Sequence, residues 1–230
     1  MIGSGKLLAI IPARGNSKRL PGKNTKNLLG KPLISWTINA ALKSKYIDRV
    51  VVSTDDDEIA NISRLNGVDT PFKRPKSLAR DDSTSIDVVI HTLNELKANG
   101  EEYDYVILLQ PTSPYRDSSH IDGAVDTLIS KNANAIVSTT KSKHNPLWVN
   151  TIPKSGDMVG FLSKEYQNKR SQDMPVYFQL NGAIYLCKVE DLIKENTFFL
   201  KKNIFTYIMD WESSVDIDDH YDFQYAISIK

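Results

Sequence analysis

Asp216 and Asp218 stand two residues apart in SVDIDD (214–219), and on an extended segment that spacing turns both carboxylates to one face. Paired hard oxygen donors suit Mg²⁺, which typically takes one or two carboxylates together with substrate phosphate oxygens and water. Near the other end of the chain, LLAIIPARGNSKRLPGKN (7–24) stops an apolar run at Pro12. It then sets Arg14, Lys18, Arg19 and Lys23 among Gly15, Pro21 and Gly22. Cations and backbone amides on so permissive a loop suit a polyphosphate. This is not a Walker A loop, because six residues separate the two glycines and Asn24 stands where Ser or Thr is required. In QPTSPYR (110–116), two prolines hold Gln110, Thr112 and Ser113, whose amide and hydroxyls can hydrogen-bond a base or a sugar.

These stretches follow elements able to bring them together. Residues 7–13, 49–54, 104–110 and 134–140 are short apolar runs, as in strands buried on both faces. Between them lie helical patterns at 32–45, 55–67, 85–100 and 120–131. The helix at 55–67 carries Asp55 as its expected cap and Gly67 at its end. This βαβα order predicts an α/β fold with three layers and a mostly parallel sheet. In such sheets ligands bind beyond the carboxyl ends of the strands, which is where the basic loop, STDD (53–56) and QPTSPYR fall. Strands are further expected at 181–186 and, as the last of the sheet, at 214–219. Residues 141–180 are polar and punctuated by Pro and Gly, and so predict an irregular excursion rather than regular structure.

Composition excludes several functions. Lys and Arg total 29 against 28 Asp and Glu, so the chain lacks the basic excess of a general nucleic-acid binder. Its positive charge is local, which points to a small anion. The one cysteine, Cys187 in an apolar run, permits neither an internal disulfide nor a cysteine zinc site, and is expected to be a buried thiol. The four histidines lack ligand spacing, and no G-x-S-x-G elbow is present. No secretory h-region and no membrane-length apolar run are found, so the expected location is the cytoplasm, with no membrane partner.

IPARGNSKRLPGKN resembles the signature of the N-acylneuraminate cytidylyltransferases, the CMP-sialic acid synthetases, a family that includes legionaminate and pseudaminate types. STDD, RPKSLARDDSTS (74–85), QPTSPYR, NGAIYL (181–186) and SVDID recur there in the same order. The resemblance spans essentially the whole chain and implies one Rossmann-like nucleotidyltransferase domain over 1–230. It implies an enzyme that joins CTP to a nine-carbon 2-keto sugar acid, releases pyrophosphate, uses Mg²⁺ and serves cell-surface polysaccharide synthesis.

The same resemblance assigns residues. Ala13, Arg14, Gly15, Asn16, Ser17 and Lys18 would wrap the triphosphate, and Lys23 and Asn24 would hold phosphate and cytidine. Arg74 and Ser85 would meet the base and ribose. Gln110, Thr112, Ser113, Tyr185, Phe198 and Phe199 would face the sugar. Asp216 and Asp218 would bind the metal and, with Arg14 and Lys23, form the catalytic set. No general base is evident. Residues 141–180 would project into the partner of a homodimer, where Arg170 would help complete the neighbouring sugar site. Trp148 stands where many members carry lysine. The related CMP-Kdo synthetases usually read Ser-Thr-Arg before Leu-Pro-Gly-Lys and lack the following asparagine, so NSKRLPGKN favours the sialic type. A catalytically silent nucleotide-binding protein of this fold would be expected to lack Lys23 or the two carboxylates, and all three are present.

Overall fold

The apolar run Leu7–Pro12 forms β1, the second strand of a six-stranded sheet, and its residues divide between two cores. Leu7, Ala9 and Ile11 face one side, and Leu8 and Ile10 the other, as the two-residue period of a strand requires. The computed structural model describes Ile2 and residues 5–230.

After β1 come a small antiparallel hairpin, β2 (Asn27–Leu28) and β3 (Lys31–Pro32), and then α1 (Leu33–Leu42). β4 (Arg49–Ser53), α2 (Asp57–Leu65), α3 (Ser85–Ala98), β5 (Tyr105–Leu108), α4 (Ser118–Ser130) and β6 (Ala135–Lys141) follow. The chain ends with β7 (Phe178–Lys188), α5 (Val189–Glu195), β8 (Ile204–Met209) and α6 (His220–Ser228). The sheet order is β4-β1-β5-β7-β6-β8, and β7 alone runs against the rest.

Apolar residues of α1 and α4, such as Ile34, Ile38, Ile121 and Val125, fill one face of the sheet. Val89, Leu93 and Leu96 of α3 and Leu192 of α5 fill the other, which gives the expected three layers. Cys187 lies fully buried in this second core, where desolvation pushes its thiol up to about 12, so it is inert at neutral pH. A third cluster gathers Leu20, Leu28, Leu33, Tyr115, Val215 and Ile217 beyond the sheet's carboxyl edge.

Three sequence expectations need correction. SVDIDD is not a strand, and the sheet closes instead with β8, whose IFTYIM alternates too weakly in hydrophobicity to stand out. Burial along residues 215–218 nonetheless alternates, with Val215 and Ile217 buried, Asp216 exposed and Asp218 half-buried. The cap of α2 is Asp56 rather than Asp55, its carboxylate accepting from the Ile59 amide at 2.9 Å. The strand expected at 181–186 begins earlier, at Phe178, because residues 139–141 of β6 extend to pair with it. Between β6 and β7, residues 142–177 form only two short 3₁₀ turns, as the irregular pattern predicts.

Candidate functional site

The basic loop is held at both ends by burial and in its middle by hydrogen bonds. Leu20 is 5% exposed in the third apolar cluster. Burying a leucine side chain stabilises by about 1.5–3 kcal/mol, enough to pin a surface loop. Gly22 takes a left-handed conformation (φ 64°) that leads into a 3₁₀ turn at Lys23–Thr25. The Asn24 carboxamide donates to the Arg14 carbonyl at 3.0 Å and closes the loop on itself. Gly15 serves packing rather than handedness. Its amide donates to the Asp55 carboxylate at 3.0 Å, and an added Cβ would lie 2.5 Å from Asp56 Oδ2 and 2.9 Å from Asp56 Cβ. An alanine there does not fit unless the start of α2 moves.

Lys23 joins the two ends of the sequence. Its Nζ donates to the Ile217 carbonyl at 2.8 Å and lies 3.3 Å from Asp218, with the side chain only 13% exposed. Arg19 reaches the other oxygen of Asp218 at 3.0 Å. The Ile217 amide donates to the Thr112 carbonyl at 2.8 Å, so the aspartate segment rests on the QPT turn. Desolvation, with the charges of Asp218 and Asp222, raises the carboxyl pKa of Asp216; the Thr112 hydroxyl and Lys23 pull it the other way. Asp216 as a residue is exposed, so the shift reflects crowding around its carboxyl end.

Among the described residues no three His, Cys, Asp or Glu gather to hold a metal. An ion at Asp216 and Asp218 would therefore draw its remaining ligands from substrate and water. Two carboxylates of like charge fit Mg²⁺ on those terms.

A cleft of about 270 Å³ lies over the carboxyl ends of β1 and β5, lined by Arg14, Lys23, Asn24, Arg74, Ser85 and Gln110 among others. A wider hollow adjoins it, lined by Asn16, Ser17 and Lys18. Arg14, Arg80 and Asp81 border both. Arg74 is 5% exposed, its Nε donating to the Ser53 hydroxyl at 3.1 Å and its Nη2 to the Ser53 carbonyl. Desolvation lowers its pKa to about 10 against the opposing pull of Asp55, which leaves it cationic at neutral pH.

The remaining expected residues are more scattered. Tyr185 packs against Phe198 and Phe199, with ring centroids 5.7 and 6.2 Å apart. Phe199 is half exposed, whereas Phe198 is 5% exposed and belongs to the second core. Ser113 and Ala13 are fully buried, and the Ser113 hydroxyl has no partner, so neither offers a side chain to the cleft surface. Arg170 lies far along the 142–177 excursion, exposed and paired with Asp173 at 3.0 Å. Trp148 is half-buried there.

Three features escape the sequence. Asp81 binds Arg14 at 3.0 Å or less (Oδ1 to Nη1, 2.9 Å) and also pairs with Lys18, contacts that hold its carboxyl below the usual range. Asn181 is buried at an irregularity in the β6–β7 pairing; its Oδ1 accepts from Ser138 at 2.6 Å and its Nδ2 donates to Ser214 at 2.9 Å. Arg116 is buried behind the QPT turn. No motif spacing marks these contacts, because each joins segments distant in sequence.

A profile described as cytidylyltransferase matches residues 8–221, nearly the whole chain. The chain belongs to the cytidylyltransferase family. It is 36% identical over 219 residues to the CMP-N,N′-diacetyllegionaminic acid synthase of Legionella pneumophila, covering 93% of this chain and 91% of that one. It is 37% identical to the N-acylneuraminate cytidylyltransferase of Escherichia coli, covering 98% of this chain but 52% of that longer protein. The pseudaminic acid cytidylyltransferase of Campylobacter jejuni is 32% identical, with 96% and 94% covered. In fold, this cytidylyltransferase is similar to CMP:2-keto-3-deoxy-manno-octonic acid synthetase solved with CTP. The TM-score is 0.71 at 18% identity, over 97% of this chain and 98% of that one. The resemblance read from the sequence is thus to the right family, and the protein is a nucleotidyltransferase of the CMP-sialic acid synthetase type.

Proposed function

We propose that this cytidylyltransferase activates a nine-carbon, sialic-type 2-keto sugar acid with CTP, giving the CMP-sugar and pyrophosphate. The observation that carries this reading is the meeting of Lys23 with the Ile217–Asp218 segment beneath a cation-lined cleft. It is supported by relatives named for legionaminic, N-acylneuraminic and pseudaminic acids at 32–37% identity. The Kdo synthetase is similar in fold alone, at 18% identity.

Arg14, Lys18 and Lys23 supply positive charge for the triphosphate, and Arg74 and Ser85 border the same cleft for the nucleoside. Gln110 and Thr112 line its far wall toward Asp216 and take the sugar acid. The anomeric hydroxyl oxygen bonds to the α-phosphorus as the bond to the bridging oxygen breaks. The hydroxyl proton passes to solvent water, and pyrophosphate leaves against the cationic loop. Alignment of the two substrates provides much of the rate, since no covalent enzyme intermediate is needed. Mg²⁺ held by Asp216 and Asp218 would supply charge neutralisation at the phosphates. A CTP-dependent reaction suits the cytoplasm, and a CMP-sugar suits later transfer to a cell-surface polysaccharide. Among the described residues no helix is long and apolar enough to cross a membrane.

The test is pyrophosphate release from CTP and Mg²⁺ with N-acetylneuraminate, N,N′-diacetyllegionaminate, pseudaminate and Kdo offered singly. Release that depends on one nine-carbon acid supports the reading; release with Kdo alone overturns it.

The 142–177 excursion exposes Val149, Ile152, Met158 and Val159, the last 91% accessible, and a second copy of the chain is the partner we assign to it. Sedimentation at assay concentration should give a dimer, and a monomer would sink that assignment.

Asp81 already occupies two cations that the triphosphate needs. Asp81→Asn is therefore expected to bind CTP severalfold more tightly in calorimetry without sugar. Asp82→Asn, which removes the same charge from a residue paired only with Arg80, should not. Equal effects of the two would reduce the gain to net charge.

A further inference from the structure

Arg116 ends the QPTSPYR turn and has no exposed surface. Arg74, the other buried arginine, has Asp55 to favour its charge, whereas Arg116 has only Asp117, next to it in the chain. Burial pushes its pKa down to about 9. A buried guanidinium without a hydrogen-bonded carboxylate is costly, so its contacts have to bring something that an apolar side chain would not.

Those contacts converge on the cleft wall. Nε donates to the Ala183 carbonyl at 3.2 Å, and Nη2 donates to the Gln110 carbonyl at 3.0 Å and the Thr37 hydroxyl at 2.8 Å. The Thr37 hydroxyl also donates to the Gln110 carbonyl, at 3.3 Å. Among the described residues Nη1 has no hydrogen-bond partner. One side chain thus ties α1, the exit of β5 and β7 together. Next to Ala183 in β7 stands Gly182, left-handed at φ 70°, where an added Cβ would sit 3.5 Å from Gln110 Oε1 and 3.7 Å from Asp216 Oδ2.

We infer that Arg116 is a positioning residue. Its fork fixes the Gln110 backbone to β7 beside Gly182 and so sets where the Gln110 amide stands relative to Asp216. This rests on the reading of that wall as the sugar-acid side. A planar guanidinium reaches three acceptors at fixed separations, and a lysine ammonium cannot reproduce that pattern. A reacting group displaced by even an ångström loses much of the benefit of alignment.

The test compares Arg116→Met, Arg116→Lys and Thr37→Val, using pyrophosphate release with whichever acid of the panel turns over. Arg116→Met is expected to raise the acid KM roughly tenfold or more, by misplacing Gln110. Thr37→Val should raise it about threefold, the scale of one hydrogen bond. The CTP Kd without sugar should stay within about twofold in both, since the nucleotide wall is separately held. Arg116→Lys should not restore the wild-type KM. Gln110→Ala should raise the acid KM and add little on top of Arg116→Met, because both act through one amide.

Parallel changes in CTP Kd and acid KM, full additivity, or rescue by lysine would overturn the positioning role. If Arg116→Met does not fold, Thr37→Val decides: an unchanged acid KM overturns the role. A normal acid KM in Gln110→Ala, or turnover with no acid, would instead overturn the reading of the wall itself.

Discussion

Lys23→Ala is expected to lower kcat at least about a hundredfold, the scale of a lost electrostatic stabiliser in a shielded site. The lysine is nearly buried, and its Nζ is the one contact from the basic loop to the Ile217 carbonyl. Its loss removes charge from the cleft and leaves the more exposed Arg19 pair with Asp218 to hold the loop to the segment that carries both candidate metal ligands. The fold should survive, because Leu20 and Asn24 hold the loop independently. Lys23→Met keeps the aliphatic stem and removes the ammonium with its hydrogen bond to Ile217, so a loss as large as that of alanine assigns the effect to the ammonium rather than to packing of the stem. Pyrophosphate release gives kcat, and calorimetry gives CTP affinity. Near-normal turnover in either variant would remove Lys23 from the catalytic set.

A loss of similar size, at least about a hundredfold in kcat, is expected for Asp216→Ala if it holds Mg²⁺ against the substrate phosphates. Its raised pKa gives a second handle. Desolvation and neighbouring carboxylates disfavour its charged form in the folded protein, so the ionised side chain is a burden on stability above its folded pKa. That burden fades as pH falls through the unfolded value, near 3.8, where both states are protonated. Asp216→Asn should therefore raise the melting temperature at pH 7 while it abolishes turnover, and the gain should shrink toward pH 4. A melting temperature lowered at pH 7 by Asp216→Asn would contradict the burial argument. Turnover left intact would contradict the catalytic one.

The sequence carried the layers of this fold well, because β1, β4 and β5 are continuous apolar runs and α1 to α4 keep a clear helical period. It carried the last quarter poorly. β8 is an edge strand with Phe205 and Ile208 exposed, so it shows neither a buried run nor strict alternation. SVDIDD alternates as a strand would, yet its backbone bonds are one to the Thr112 carbonyl and local ones at Ser214 and Asp219 rather than a ladder. Its two-residue alternation in burial is real, with Val215 and Ile217 inside and the aspartates more exposed, although the element is not a strand. At the site, charged residues within one short loop were legible, whereas Asp81, Asn181 and Arg116 act across long sequence separations. The different burial of Phe198 and Phe199 was not legible either, because an aromatic pair reads the same whether one ring or both are exposed.

The single reversed strand has an evolutionary consequence. Because β7 opposes its neighbours, the chain leaves the sheet at Lys141 and re-enters at Phe178 on one rung, with the Ser142 amide donating to the Tyr177 carbonyl at 2.8 Å just beyond. Everything outside that neck can lengthen, shorten or change composition without altering the register of a strand. The cleft wall carried on β1 and α3 is insulated from such change. Descendants of this architecture can therefore rebuild the excursion while the sheet beneath that wall keeps its strand order.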